Sequence, residues 1–573
     1  MSADWAQVSL WRSAPLEEKA ESLHTTENTL VQLGYDMFGS GLGVWTGAAA
    51  LFAGIQRNLL KESLEDRITE VSAVRRALHD ASDSVASVEH AVKVATEYAA
   101  DNGLWIAGDG TVNDERGVTV MGDSSDQDVD SALADRQSTI NECLMLVEEA
   151  VRRAYYVDQD LFAVLNDGVL SGSLAQRDAA DFRQAERDGA GAGKLGPYKP
   201  PQDSATPAQN AAWWAALTQT EQDGIRRDHP EWIANRDGLS AKLRNEANET
   251  LLKRYTDQYT AEYNELDAYF KAKIAEHPDA ERVIEETDDK SARYLWLREE
   301  VMPALKTLNK IASTSDETSP LLERQILGLK ILPGERVQAI IAAGDVDSAD
   351  NVSVFTPGFT TTTSKLDGYD QKMLELKRRA EFIAASSDDS DDQPTVATVT
   401  WLDYQAPQWS TVASSNSVLS AHTARSAGVD LADFYEGLNV SRADDPHLVA
   451  LGHSYGSAVT GAALTKESGI DDAVVFGSPG LPIENVDQLK LHGTLYNEQA
   501  QGDRFVGESW ATGFDPNYMA DTVQLDTGAS TGADKTPLAA SHGHSEYLNN
   551  RTTSQNNLAA VIAGHPEQTV EKK

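Results

Sequence analysis

Leu448-Val449-Ala450-Leu451-Gly452-His453-Ser454-Tyr455-Gly456-Ser457 is the stretch that decides the fold. An apolar run enters Gly-x-Ser-x-Gly, and a small-residue segment, Ala458 to Leu464, follows it. A strand that turns into a helix through so short a bend leaves Ser454 in strained dihedrals, and only glycine at 452 and 456 lets neighbouring elements pass closely. The bend lifts the Ser454 hydroxyl out of the sheet as a candidate nucleophile.

A serine hydroxyl needs a base to remove its proton, and after such an elbow the partners follow in the order Ser, acid, His. Two histidines stand late enough, His542 and His544 in Ser541-His542-Gly543-His544-Ser545-Glu546-Tyr547-Leu548. His453, as the nucleophile's neighbour, points away from it and reads as a packed or solvent-facing residue; His447 lies at the wrong end of the strand. Counting Ala473–Phe476 and Gly493–Tyr496 as the next strands, the following loop, Gln501-Gly502-Asp503-Arg504-Phe505, offers Asp503 as the acid, ahead of Glu498, Asp515 and Asp521. Asp503 would hold the imidazole in one tautomer and stabilise its cation. An oxyanion needs two donors: one is the backbone N–H of Tyr455, and the second is expected from Phe359, after the strand Val352–Phe355 and the turn Pro357-Gly358. Thr360 to Ser364 would then cap a helix beginning near Lys365. Gly477-Ser478-Pro479-Gly480 is a turn at the carboxyl end of a strand, where such sheets open their ligand crevice.

Further strand-like runs occur at Val337–Ala343, Val396–Trp401 and Leu448–Leu451, with helix-length segments at Lys365–Ala385 and Ser417–Leu438. Alternation of this kind predicts a mainly parallel sheet with helices on both faces. With the serine bend, the predicted class for residues 321–573 is α/β, of the α/β-hydrolase fold. The acidic run Ser386–Asp392 reads as a solvated loop, since it lacks the Gly and final Glu of an EF-hand ligand loop. Val506–Ala540, rich in Gly, Thr and Asp, is either a lid or pocket wall or an ordinary surface loop.

The preceding chain reads as helix. Leu64, Val71, Leu78, Val85 and Val92 recur every seventh residue, and Val74, Ala81, Val88 and Ala95 widen the stripe into an apolar seam. The segment before Gly39 and the segment Val129–Leu165 are expected to cover it, making a long all-α N-terminal bundle over residues 1–188. Gly189–Ala208, with Gly-Ala-Gly-Ala-Gly and Pro-Tyr-Lys-Pro-Pro, reads as a linker, and residues 209–320 as a helical connector.

Trp45-Thr46-Gly47, with Tyr156 and Asp160 four residues apart, resembles the Trp-x-Gly helical hairpins exported by bacterial type VII secretion. That resemblance implies type VII machinery or a helical partner, and a secreted or cell-envelope location reached without a leader, the alternative being cytoplasmic. A second resemblance covers Trp213-Trp214, His229-Pro230-Glu231, Arg236-Asp237-Gly238-Leu239 and Arg244-Asn245-Glu246-Ala247-Asn248, together with His544-Ser545-Glu546-Tyr547. These stretches are similar to an actinobacterial family of α/β hydrolases of unassigned substrate that ends in a His-Ser-Asp/Glu-Tyr pattern. The resemblance implies His544, in preference to His542, as the base.

Composition narrows the partners. With 49 basic and 90 acidic residues the formal charge is −41, which repels phosphate backbones and excludes nucleic acid as an expected partner. The single cysteine, Cys143, forbids an intrachain disulfide and leaves the redox compartment open. The apolar run Leu42–Ile55 is shorter than the ~20 residues that span a bilayer, and no signal-peptide pattern is visible, so no integral membrane segment is expected. The expected function is hydrolysis of a small-molecule or lipid carboxylic ester through an acyl-Ser454 intermediate, esterase or lipase-like, with no metal or organic cofactor. Thioesterases, acyltransferases and peptidases use the same constellation. The alternative is an exported interaction or effector protein whose helical region carries the main function.

Overall fold

In the computed structural model the mainly helical sequence of 1–223 and the mixed helix and strand sequence of 224–573 form two units. It describes residues 4–38, 46–114, 126–166, 181–276, 289–315, 322–387, 394–408, 421–504 and 513–572.

The first unit contains α1 (Trp5–Val8), α2 (Ala14–Phe38), α3 (Ala48–Asp101), a two-stranded antiparallel hairpin of β1 (Leu104–Ile106) and β2 (Val112–Asp114), α4 (Asp126–Ala163), α5 (Phe182–Ala192) and α6 (Pro207–Ala215). The heptad stripe lies on α3, a helix of 54 residues, against which α2, α4 and α5 pack. Its most buried line combines Val85, Val88, Ala81 and Ala95 of the expected seam with Ile68, Ala73, Ala77, Ala91 and Ala99, while Leu64, Val71 and Leu78 are only half-buried. Small residues win the centre because they let backbones approach. The expected linker glycines belong to this packing and not to a boundary: a Cβ on Gly189 would lie 2.2 Å from the Thr69 carbonyl oxygen, and one on Gly193 2.1 Å from that of Ala73. Trp45 lies outside the described residues. Gly47 caps α3 with φ +103°, and Tyr156 and Asp160 both sit within α4, where the Tyr156 ring meets that of Tyr198 edge-on at 5.9 Å.

The boundary at residue 223 falls within α7 (Gln219–Asp228), later than expected. Beyond it come α8 (Ala241–Glu276), α9 (Asp289–Trp296) and α10 (Met302–Ala312), which belong with the sheet. The sheet comprises β3 (Arg324–Lys330), β4 (Gln338–Ala343), β5 (Asn351–Thr356), β6 (Val396–Leu402), β7 (His447–His453), β8 (Asp472–Phe476), β9 (Leu495–Glu498) and β10 (Thr522–Leu525). Their spatial order is β10-β9-β8-β7-β5-β6-β4-β3, parallel except where β4 pairs with β3 and β6. Interleaved are α11 (Leu366–Ser387), α12 (Ala421–Val440) and α13 (Tyr455–Ala463), and a small hairpin of β11 (Ser530–Thr531) and β12 (Pro537–Leu538) precedes α14 (Thr553–Ile562). This is the α/β-hydrolase fold with an N-terminal helical region.

Segment 224–320 is no free-standing connector because its polar residues close an edge of the sheet. Asn235 donates to the Leu329 carbonyl at 2.9 Å and accepts from its N–H at 2.7 Å; Asn245 accepts from Ile326 N–H at 2.6 Å; and Arg244 Nε donates to the Leu327 carbonyl at 2.8 Å. An edge strand left bare is a template for wrong pairing, and these side chains satisfy it. Two apolar cores flank the sheet. One packs Tyr435, Leu431 and Leu305 on one face, and the other packs Met373, Leu376 and Leu558 on the opposite face.

Candidate active site

β7 is buried on both faces, and its chain must reverse into α13 without leaving the parallel register that ties Gly452 to Thr356 of β5. Ser454 absorbs the reversal with φ 54° and ψ −130°, a conformation that costs a non-glycine residue about 1–3 kcal/mol. The surrounding backbone holds it there: Ser454 N–H donates to the Phe476 carbonyl at 3.0 Å, and the Ser454 carbonyl accepts from Ser457 N–H at 2.9 Å and Ser457 Oγ at 2.6 Å. The glycines serve this crowding. A Cβ at Gly456 would lie 2.1 Å from the Thr356 carbonyl oxygen and one at Gly452 2.7 Å from Ser457 Cα. A third close approach, absent from the sequence reading, is Gly358, where a Cβ would come within 2.6 Å of Ser454 Cβ and 3.0 Å of Tyr455 N.

The loop after β9 and the loop before α14 bring the remaining groups together. Ser454 Oγ lies 2.8 Å from His544 Nε2, and His544 Nδ1 lies 2.9 and 3.0 Å from the two Asp503 carboxylate oxygens. Gly543, at φ 63°, donates its N–H to the Gln501 carbonyl at 2.9 Å and thus ties the histidine loop to the loop of Asp503. The Asp503 side chain is fully buried and also accepts from the Tyr547 hydroxyl at 2.7 Å. That hydroxyl in turn accepts from Ala500 N–H at 2.9 Å, and burial with Asp503 alongside pushes the phenol pKa up. A neutral, donating Tyr547 therefore accompanies the carboxylate. Gly477 completes the fit, since a Cβ there would stand 3.1 Å from Asp503 Oδ2 and 3.3 Å from His544 Cε1.

The other sequence candidates lie elsewhere. His542 is exposed, and its backbone N–H donates to Glu546 at 2.9 Å. Glu498 is wholly buried at the end of β9, where Ser554 and Asn557 hold it and desolvation raises its pKa to about 8. Asp515 caps a short turn by accepting from Asn517 N–H at 2.9 Å, and Asp521 occupies a left-handed turn at φ 62°. Tyr455 opens α13 directly beside Ser454, while Phe359 is half-buried between Gly358 and the left-handed Thr360.

His453 has a role the sequence reading left out. Its ring stacks on Phe476 at 5.2 Å between centroids, and its Nε2–H donates to the His544 carbonyl at 2.9 Å. Burial and the neighbouring His544 lower its pKa to about 3, so it stays a neutral donor. Its Gly-x-Ser-x-Gly position carries no sign of this, because the acceptor is a main-chain oxygen 91 residues away.

Residues 333–508 match a family model described as alpha/beta hydrolase. An uncharacterized protein of Mycobacterium tuberculosis (strain ATCC 25618 / H37Rv) is 33% identical over 155 residues, 27% of this chain and 56% of its own length. A second uncharacterized protein of that strain is 23% identical over 451 residues, 68% of this chain and 62% of its own length. The chain thus spans a little over half the length of these curated relatives. Among solved structures, the esterase domain of a Rhodothermus marinus protein is similar at 14% identity and TM-score 0.25, covering 42% of this chain and 97% of that one. A cold-adapted esterase from an Arctic intertidal metagenomic library is similar at 11% identity and TM-score 0.24, covering 43% of this chain and 94% of that one.

Proposed function

We infer that the α/β-hydrolase domain of this chain is a serine esterase acting on small-molecule or lipid carboxylic esters. Ser454 Oγ attacks the ester carbonyl while His544 Nε2 takes its proton; the alcohol leaves with that proton, and an acyl-Ser454 ester remains. Water then adds to the acyl carbon with His544 again as base, releasing the acid and restoring the serine. Asp503 keeps the proton on Nδ1, leaves the Nε2 lone pair toward the serine and stabilises the imidazolium that forms. The Tyr455 and Phe359 N–H groups receive the oxyanion.

The 2.8 Å separation of Ser454 Oγ from His544 Nε2, with Asp503 on the far side of the ring, carries this reading. Turnover of a p-nitrophenyl acyl series by the full chain, with labelling of Ser454 by a fluorophosphonate, tests it. Hydrolysis together with loss of labelling in Ser454→Ala is the expected result. No turnover of any chain length and no labelling of folded protein would overturn it.

A further inference from the structure

A cavity of about 240 Å³ opens on the α11 face of the sheet, beside the histidine loop, with Lys365, Tyr369, Lys372, His453, Phe476 and Ser545 among its walls. Its volume falls below the ~300–1,000 Å³ of drug-sized sites and suits a small ligand. In a chain of 49 basic and 90 acidic residues it is locally inverted, since two lysines and no acidic residue line it among the described residues. Lys365 Nζ is steadied at the rim by the Thr360 carbonyl at 3.0 Å. Lys372 is half-buried and makes no ion pair among the described residues; burial pushes its pKa down, and Glu375, three residues on, opposes the shift only by its field. A desolvated ammonium facing a void is stabilised by an anion that enters it. Tyr369, whose hydroxyl is hydrogen-bonded to Thr361, and Ser545 add polar residues to the same lining.

Two wall residues connect this cavity with the base. His453 donates to the His544 carbonyl at 2.9 Å, and Ser545 follows His544 in the chain. We propose that the cavity is an oxyanion site for a small carboxylate or phosphate, and that its occupant acts on His544 through His453 and Ser545. The coupling rests on His544 serving Ser454 as base; the binding does not.

Calorimetric titration of the full chain with sodium acetate and with inorganic phosphate, each against sodium chloride at matched ionic strength, reads binding without turnover. A dissociation constant on the order of millimolar is expected for one of them. Acetate alone would identify a carboxylate such as an acid product, and phosphate alone would identify the free ion. Lys372→Met should weaken binding at least tenfold, Lys372→Arg should retain it, and Lys365→Met, at an exposed position that cannot disturb the core, should weaken it severalfold. The bound anion should also change the rate of Ser454 labelling in wild type and not in Lys372→Met. Equal titrations in wild type and Lys365→Met and Lys372→Met, or none in wild type, overturn the site. Binding with an unchanged labelling rate overturns the coupling, whereas binding with no labelling at all removes the esterase reading and leaves the site standing.

Discussion

Glycine does the same physical work in both units and to different ends. In the helical unit, Gly189 and Gly193 let α5 lie on the backbone of α3, with carbonyl oxygens 2.2 and 2.1 Å from where a Cβ would stand. In the α/β unit, Gly456 has a carbonyl oxygen 2.1 Å from its missing Cβ, and Gly358 has the Ser454 Cβ at 2.6 Å. The first pair closes a helix interface; the second pair crowds one strained serine. Close approach alone therefore does not mark a functional site. What distinguishes the second case is that a titratable network converges on the crowded residue.

The largest expected effect breaks that network and leaves packing intact. Asp503→Asn should lower kcat on a short acyl ester roughly 10⁴-fold, because the amide favours the wrong His544 tautomer, while the thermal midpoint stays close to wild type. A loss under tenfold would remove Asp503 from the relay.

Alanine at the paired glycines sharpens the contrast. Gly456→Ala and Gly189→Ala each drive a methyl into a backbone oxygen and should each cost about 3 kcal/mol in their own unit, read by denaturant unfolding. Only Gly456→Ala should also cut the specific activity of the folded fraction, by tenfold or more. Equal activity losses from both would mean that the two units do not differ in this way.

The smallest effect concerns Glu498, whose pKa stands at about 8 against an ordinary 4.5. Between those values the folded chain keeps a proton that the unfolded chain has released, so stability declines as pH rises through this window and is flat above it. Glu498→Gln mimics the protonated form. It should raise the unfolding midpoint at pH 8 by a few degrees and leave pH 5 nearly unchanged; an equal shift at both values would assign the effect to packing.

Much of the site could be read from residue order, because each part obeys a local rule. The elbow is a strand, a bend at the one residue Ser454 within the five-residue Gly-x-Ser-x-Gly motif, and a helix; Asp503 follows a strand; His544 comes last. The strands Val352–Phe355, Val396–Trp401 and Ala473–Phe476 were legible as apolar runs that parallel pairing buries on both faces. β3 and β10 were not: at β10 Thr522 and Gln524 interrupt the apolar residues, and at β3 the run Ile326-Leu327-Gly328-Leu329 is short, broken by a glycine and preceded by the buried polar pair Arg324-Gln325.

The boundary was misread for a related reason. Gly-Ala-Gly-Ala-Gly at 189–193 has linker composition, and only the Thr69 and Ala73 carbonyls beside it show that those glycines are packed. By itself the sequence determined the class of sheet and the strained bend at Ser454, since these follow from periodicity and from which residues tolerate a bend. Tertiary structure alone decided that His544 and not the exposed His542 meets Ser454, that His453 holds the histidine loop, and that Lys365, just before α11, and Lys372 on it line a common cavity. Those relations join residues far apart in the chain, and no local pattern encodes a distance across the fold.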